Sequence, residues 1–149
     1  MYTRILVPLD GSKRAESILP QVEELAQQCG ATVILLEVLE PSQHHYAAAV
    51  VPELLAAGAT QRTTEIRRYV HDLCDSLRAR GLNANAVIKQ GPVVETILEV
   101  AKDEAVDLIA LASHGYSGLA RILHGSVAAE VLHRARVPLL IQHVEEDAA

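Results

Sequence analysis

The residues best suited to chemistry in this chain are small ones. Ala112-Ser113-His114-Gly115 is followed by nine residues and then by Gly125-Ser126. An apolar run over 106–112 leads into this segment, and a helical pattern over 127–134 leads out of it. A strand that ends in small residues, crosses a glycine loop and enters a helix can cradle a phosphate. Bare backbone lets amide N–H groups close on the anion, and the helix N-terminus adds positive dipole.

The elements that must position this cradle follow from the periodicity. Ile5-Leu6-Val7-Pro8-Leu9 is a short continuous apolar run that stops at Asp10-Gly11-Ser12, a buried parallel strand and its turn. Ser12 can cap the helix that follows, in which Ile18, Val22, Leu25 and Ala26 recur at helical spacing until Gly30. Residues 31–39 read as a second strand. Residues 42–58 are the least patterned and are expected to form an excursion with some helix. A long amphipathic helix is predicted over 63–80, with Ile66, Tyr69, Val70, Leu73 and Leu77 as its stripe. A third strand covers 82–89, a helix starts after Gly91-Pro92, a fourth strand covers 106–112 and a fifth covers 137–141.

Strands alternating with helices imply an α/β fold, a parallel sheet with helices on both faces. Right-handed crossovers leave few strand orders, and five strands suggest 3-2-1-4-5. The topological switch then lies between the first and fourth strands, where ligands bind beyond the carboxyl ends. Asp10 ends the first strand and Ala112 ends the fourth, so two separate features converge on one mouth.

Composition bounds the function. Length fits one domain, 1–144, with a polar tail at 145–149. Half the residues are apolar, with no Phe and no Trp, so Ala, Val, Leu and Ile must fill the core. A formal charge of −6 argues against broad binding to nucleic acid or an anionic membrane, yet leaves room for an anion held by backbone amides. Cys29 and Cys74 share no metal or redox spacing and read as free thiols of a reducing cytoplasm. Met1-Tyr2-Thr3-Arg4 runs straight into a strand, so neither a signal peptide nor a membrane span is expected.

Taken in order, these pieces resemble the universal stress protein family in its small single-domain form. The resemblance rests on 5–12, on Gly91, on Val106-Asp107-Leu108-Ile109-Ala110-Leu111-Ala112-Ser113-His114-Gly115, on Gly125-Ser126-Val127-Ala128, and on Val137-Pro138-Leu139-Leu140-Ile141. It covers nearly the whole chain and implies a Rossmann-like fold related to the adenine nucleotide alpha hydrolases. ATP-binding members carry Gly, two residues, Gly, nine residues, then Gly with Ser or Thr. This chain keeps Gly115, the spacer, Gly125 and Ser126, and departs at the first glycine, which is Ala112. An extended strand end accepts Ala; a position needing positive φ does not.

The resemblance implies a cytoplasmic protein that binds ATP or another adenine nucleotide with Mg²⁺. Asp10 would accept hydrogen bonds from a ribose hydroxyl or the adenine edge, or else be a plain turn or cap residue. Pro8 and Leu9 would wall the adenine, and Val38 would meet it through its backbone. Gly115, Gly125 and Ser126, with the amides of Val127 and Ala128, would hold phosphates; the alternative is a simple cap at Ser126. Ser12 could assist a phosphate or a Mg²⁺-bound water, with helix capping as its other role. His114, and less so His124 and Arg121, could donate to phosphate or simply face solvent. His44-His45 lack a third ligand and make a poor metal site.

No residue is assigned to catalysis. The chain has no Walker-type Gly-Lys-Ser/Thr, no nucleophile elbow and no hydrolase spacing of carboxylate and histidine. Hydrolysis is expected to be slow and incidental, the nucleotide biasing conformation or partner choice. The alternatives are a nucleotide-independent interaction protein of the same fold and a weak ATPase. The fifth strand is expected at a sheet edge, where the family resemblance implies a homodimer, with an unidentified regulatory protein as a possible further partner. A response regulator is disfavoured because Asp10 has no acidic neighbour in sequence and the fifth strand has no Lys. A dinucleotide fingerprint is absent from Asp10-Gly11-Ser12.

Overall fold

The apolar runs form a five-stranded parallel sheet in the order β3-β2-β1-β4-β5. In this computed structural model the described residues are 1–40, 52–114 and 127–144. The strands are β1 Arg4–Leu9, β2 Thr32–Leu39, β3 Asn83–Gln90, β4 Leu108–His114 and β5 Leu139–Val144. The helices are α1 Lys13–Glu16, α2 Leu19–Cys29, α3 Pro52–Ala79, α4 Val93–Asp103 and α5 Val127–Arg134. The expected strand order is therefore observed, and β5 lies at an edge.

Strand alternation sorts the core into two layers. Ile5, Val7, Leu9, Val33 and Leu35 pack with Val22 and Ala26 of α2 and Val70, Cys74 and Leu77 of α3. Leu6, Ile34, Leu36, Ile109 and Leu111 face the other way, against Ile97 and Val100 of α4 and Val131 of α5. Aliphatic side chains dominate both layers. Cys74 sits inside the first, and burial pushes its thiol pKa up, which keeps it unreactive.

Several boundaries differ from the sequence reading, each for a local reason. The single helix expected after Ser12 is two. Ser12 caps α1, its Oγ accepting from Ala15 N at 3.1 Å. Pro20 then sits in the first turn of α2, where it needs no N–H donor, so the chain restarts there. α3 begins at Pro52 rather than near 63, a start that apolar periodicity missed. β4 and β5 each begin two residues later than expected. Asp107 N bonds Arg4 O at 3.0 Å just before β4, and Ile109 N bonds Pro138 O at 3.1 Å just before β5.

At the amino end of the sheet one carboxylate ties the strands together. Asp107 accepts from Thr3 N at 2.8 Å, Thr3 Oγ1 at 2.7 Å and Arg4 N at 3.0 Å. Burial works to raise its pKa, and the hydrogen bonds from Arg4 and Thr3 outweigh that and lower it. Arg4 also pairs with Glu104. At the opposite end, Gly91 has φ +152°, and a Cβ there would lie 2.8 Å from Thr96 Oγ1. That glycine lets Gly91 N bond Leu39 O at 3.0 Å and turn β3 into α4 close beside β2. Among the described residues no helix is long and apolar enough to cross a membrane.

Candidate functional site

β1 and β4 are neighbours in the sheet, while the helices that follow them lie on opposite faces. Their carboxyl ends therefore open a crevice. A pocket of ≈ 250 Å³ occupies it, lined by Pro8, Leu9 and Asp10 of the first strand and turn, and by Leu111, Ala112 and Ser113 of β4. Arg14 and Ala15 of α1, Val93 and Ile97 of α4, and Val127 and Ala128 of α5 complete it. Among the described residues the wall is mainly aliphatic, with charge at Asp10 and Arg14.

Asp10 is held in one orientation. Its Oδ1 accepts from Ser12 N at 2.9 Å and from Ser12 Oγ at 2.5 Å. Its Oδ2 faces Arg14 at 3.7 Å. Burial alone would raise this carboxyl, but the Ser12 bonds and the Arg14 guanidinium outweigh burial and lower its pKa. Asp10 is thus an ionised acceptor at neutral pH, pre-oriented by the turn. Gly11, with φ +83°, makes that turn in a backbone region that side chains avoid.

Of the residues expected from sequence, Pro8, Leu9, Asp10, Ala112, Val127 and Ala128 come together on this pocket. Ser12 does not line it; it caps α1, one of the two roles expected of it, and fixes Asp10. Val38 lies outside the lining, its side chain packed on the second core layer. The backbone of His114 ends β4, and its side chain is not described. Gly115, Arg121, His124, Gly125 and Ser126 lie outside the described residues, as do His44, His45 and the 145–149 tail. The 42–58 excursion overlaps them except where α3 begins.

Ala112 answers the question its type raised. It lies inside β4, opposite Gln142 of β5. Among the described residues the non-glycine with positive φ is Ala105. Alanine at 112 is therefore unstrained, and its methyl is part of the pocket wall.

Sequence reasoning missed Arg14, Ala15, Val93, Ile97, Leu111, Ser113 and Glu37. Arg14 carried a signal, four residues after Asp10 on a helix start. Ser113 is buried, its Oγ 3.1 Å from Nδ1 of His143 on β5, a pairing no spacing could show. Glu37 carried the clearest signal: one carboxylate in the row that continues Val33 and Leu35 into the core. It sits opposite Leu9 in the β1–β2 register and is 6% exposed. Burial, and then the Asp10 charge, push its pKa up to about 7. Asp10 lacks an acidic neighbour in sequence but has one in space.

A profile of the universal stress protein family matches residues 1–143. Universal stress protein MJ0577 of Methanocaldococcus jannaschii is 29% identical over 153 residues, spanning 95% of this chain and 94% of that protein. Its solved structure matches with a TM-score of 0.78, covering 100% and 99% of the two chains. A universal stress protein solved in complex with cAMP matches with a TM-score of 0.70 at 23% identity, covering 95% and 97%. An Arabidopsis thaliana family protein solved with AMP bound gives 0.68 at 16%, covering 98% and 93%. At these last two identities the likeness is one of fold. With a family profile spanning nearly its full length, the chain belongs to the universal stress protein family.

Proposed function

We propose that this chain binds an adenine nucleotide, ATP or AMP, at the mouth between β1 and β4 and acts as a regulatory or sensing module in the stress response. The observation that carries this reading is the pocket of ≈ 250 Å³ shared by the ends of both strands and the start of α5, with a pre-oriented Asp10 at its rim. Asp10 Oδ2 has capacity to accept from ribose hydroxyls, since Ser12 occupies Oδ1. The aliphatic wall around Pro8, Leu9 and Ile97 suits a base or sugar face. The amides of Val127 and Ala128, at the described start of α5, suit phosphate, together with Gly115, Gly125 and Ser126. The relatives solved with cAMP and with AMP support the adenine nucleotide class.

Among the described residues no three His, Cys, Asp or Glu side chains gather as a metal site. A Mg²⁺ accompanying a triphosphate would be held chiefly by the phosphates and water, which is its common habit. In this reading turnover is slow at most, and the ligand acts by shifting conformation or partner choice. β5 lies at the sheet edge, and a second copy pairing along it is the quaternary arrangement that accompanies this reading.

The test is mass spectrometry of small molecules released from the denatured purified protein, with thermal melting in added ATP, AMP and cAMP. Ligand at a hundred times its Kd adds about 2.7 kcal/mol. Gly125→Val should abolish the shift by filling the phosphate position. Absence of both a co-purified nucleotide and a melting shift would overturn the proposal.

A further inference from the structure

A second pocket, of ≈ 300 Å³, lies between the β1 turn, the end of β2 and α3, on the first core face. Its wall carries three carboxylates, Asp10, Glu37 and Glu65, against the Arg62 guanidinium, with Gly11 and the Tyr69 ring between them. Its residues come from three separate segments, so only the carboxylate at 37, in an otherwise apolar row, marks it in the sequence.

Among the described residues Glu37 Oε2 is buried without a hydrogen-bond partner, and the buried Tyr69 hydroxyl lies by Glu16. Glu37 is more than nine-tenths buried, and its Oε1 lies 4.0 Å from where a Cβ on Gly11 would stand, against the pocket wall. A buried, unsatisfied carboxyl is costly and rare in native structures, and among the described residues no donor reaches Glu37 Oε2. We propose that this pocket is a binding site for a small organic cation bearing a primary ammonium group, which donates to Glu37 and lies among the carboxylates of β1, β2 and α3.

The chemistry selects that class. Three carboxylates exclude an anion. A bare metal ion needs ligands gathered at about 2.0–2.6 Å, and no such cluster exists among the described residues. An ammonium has three N–H donors spread in space, which suits acceptors arriving from three elements. Its alkyl stem can lie along Ile66 and the Tyr69 ring.

The charges around Glu37 set the pH behaviour. Asp10 faces it from the β1 end, Arg62, Glu65 and Tyr69 from α3, and Glu16 of α1 lies by Tyr69. Burial and the Glu16 carboxylate keep the Tyr69 phenol protonated. Glu37, lifted to about 7, is the group that changes charge near neutrality. An ammonium favours its ionised form, so binding releases a proton and tightens as pH rises through that value. Among the described residues Asp10 is the one shared with the nucleotide pocket, and the site does not depend on the nucleotide reading.

The experiment uses the full chain without nucleotide. n-Propylammonium chloride is titrated at pH 6 and pH 8, against KCl at matched ionic strength and against n-propanol. Melting temperature and the ¹³C shift of the Glu37 carboxyl are followed. The expected result is a melting rise that neither control gives, larger at pH 8, with the Glu37 titration midpoint moved down by the amine. Glu37→Gln, which keeps the shape, should lose most of the rise and all of its growth with pH. Glu65→Gln should weaken the rise but keep the growth. No rise in the wild type, a rise matched by KCl or n-propanol, or an equal rise in Glu37→Gln would each overturn the proposal.

Discussion

The two ends of the sheet treat their carboxylates in opposite ways. At the amino end, Asp107 receives three hydrogen bonds from Thr3 and Arg4, and its pKa is lowered. At the carboxyl end, Glu37 is deeper, has no hydrogen bond at Oε2, and is raised to about 7. Asp10 stands between them in character, with one oxygen satisfied by its own turn and the other turned toward Arg14. Satisfied polar groups knit a fold; unsatisfied ones at a mouth are kept for something the chain does not itself supply. The amino end is thus built for stability, and the carboxyl end gives some up.

The largest effect expected from breaking this contrast is at Glu37. A carboxyl raised in the folded chain holds a proton that the unfolded chain has released between pH 4.5 and about 7. Stability therefore falls as pH rises through that window and stays low above it. Glu37→Gln removes the penalty and should stabilise the chain by up to about 3 kcal/mol at pH 8, with little gain near pH 4.5. Urea unfolding at the two pH values measures this, and a destabilised variant at pH 8 would reverse the argument.

Asp107 should behave oppositely. Asp107→Ala leaves the Thr3 and Arg4 amides without their acceptor and should cost about 2 kcal/mol at neutral pH. The lowered carboxyl contributes above its ordinary value of 3.8 and loses that contribution as pH falls through the folded value. The variant's deficit should accordingly shrink in acid, read by the same unfolding series. An unchanged deficit at low pH would mean that packing, not charge, carries the role.

The smallest effect is at Ser12. Ser12→Ala removes the cap of α1 and should cost about 1 kcal/mol. It should also return the Asp10 carboxyl upward, since the Ser12 bonds lower it. An NMR titration of Asp10 checks the second part, and a midpoint that stays put would show that Arg14 alone orients it.

Much of this was legible in the chain because the relevant signals are local. Continuous apolar runs marked buried parallel strands, and the strand order followed from chirality and count. Asp10 and Ala112 could be placed at one mouth because each ends such a run. Local signals also failed in specific ways. Pro20 lies inside the apolar periodicity, yet it marks a new first turn. The start of α3 at Pro52 has no apolar stripe to announce it. The alternation along β2 marks Glu37 as inward, but its Asp10 neighbour and the His143 partner of Ser113 come from distant segments, so their pairing depends on packing that spacing does not encode.

The account rests most directly on Asp10 as the acceptor for a nucleotide's sugar. Calorimetric titration of AMP against its 2′,3′-dideoxy analogue, in wild type and in Asp10→Ala, isolates that contact as a double-mutant cycle. The expected result is that the analogue binds a few-fold more weakly to the wild type, since it lacks the hydroxyls that would donate to Asp10 at the pocket rim. The variant should bind both ligands alike. Equal affinity of the two ligands for the wild type, or discrimination that survives in Asp10→Ala, would contradict it.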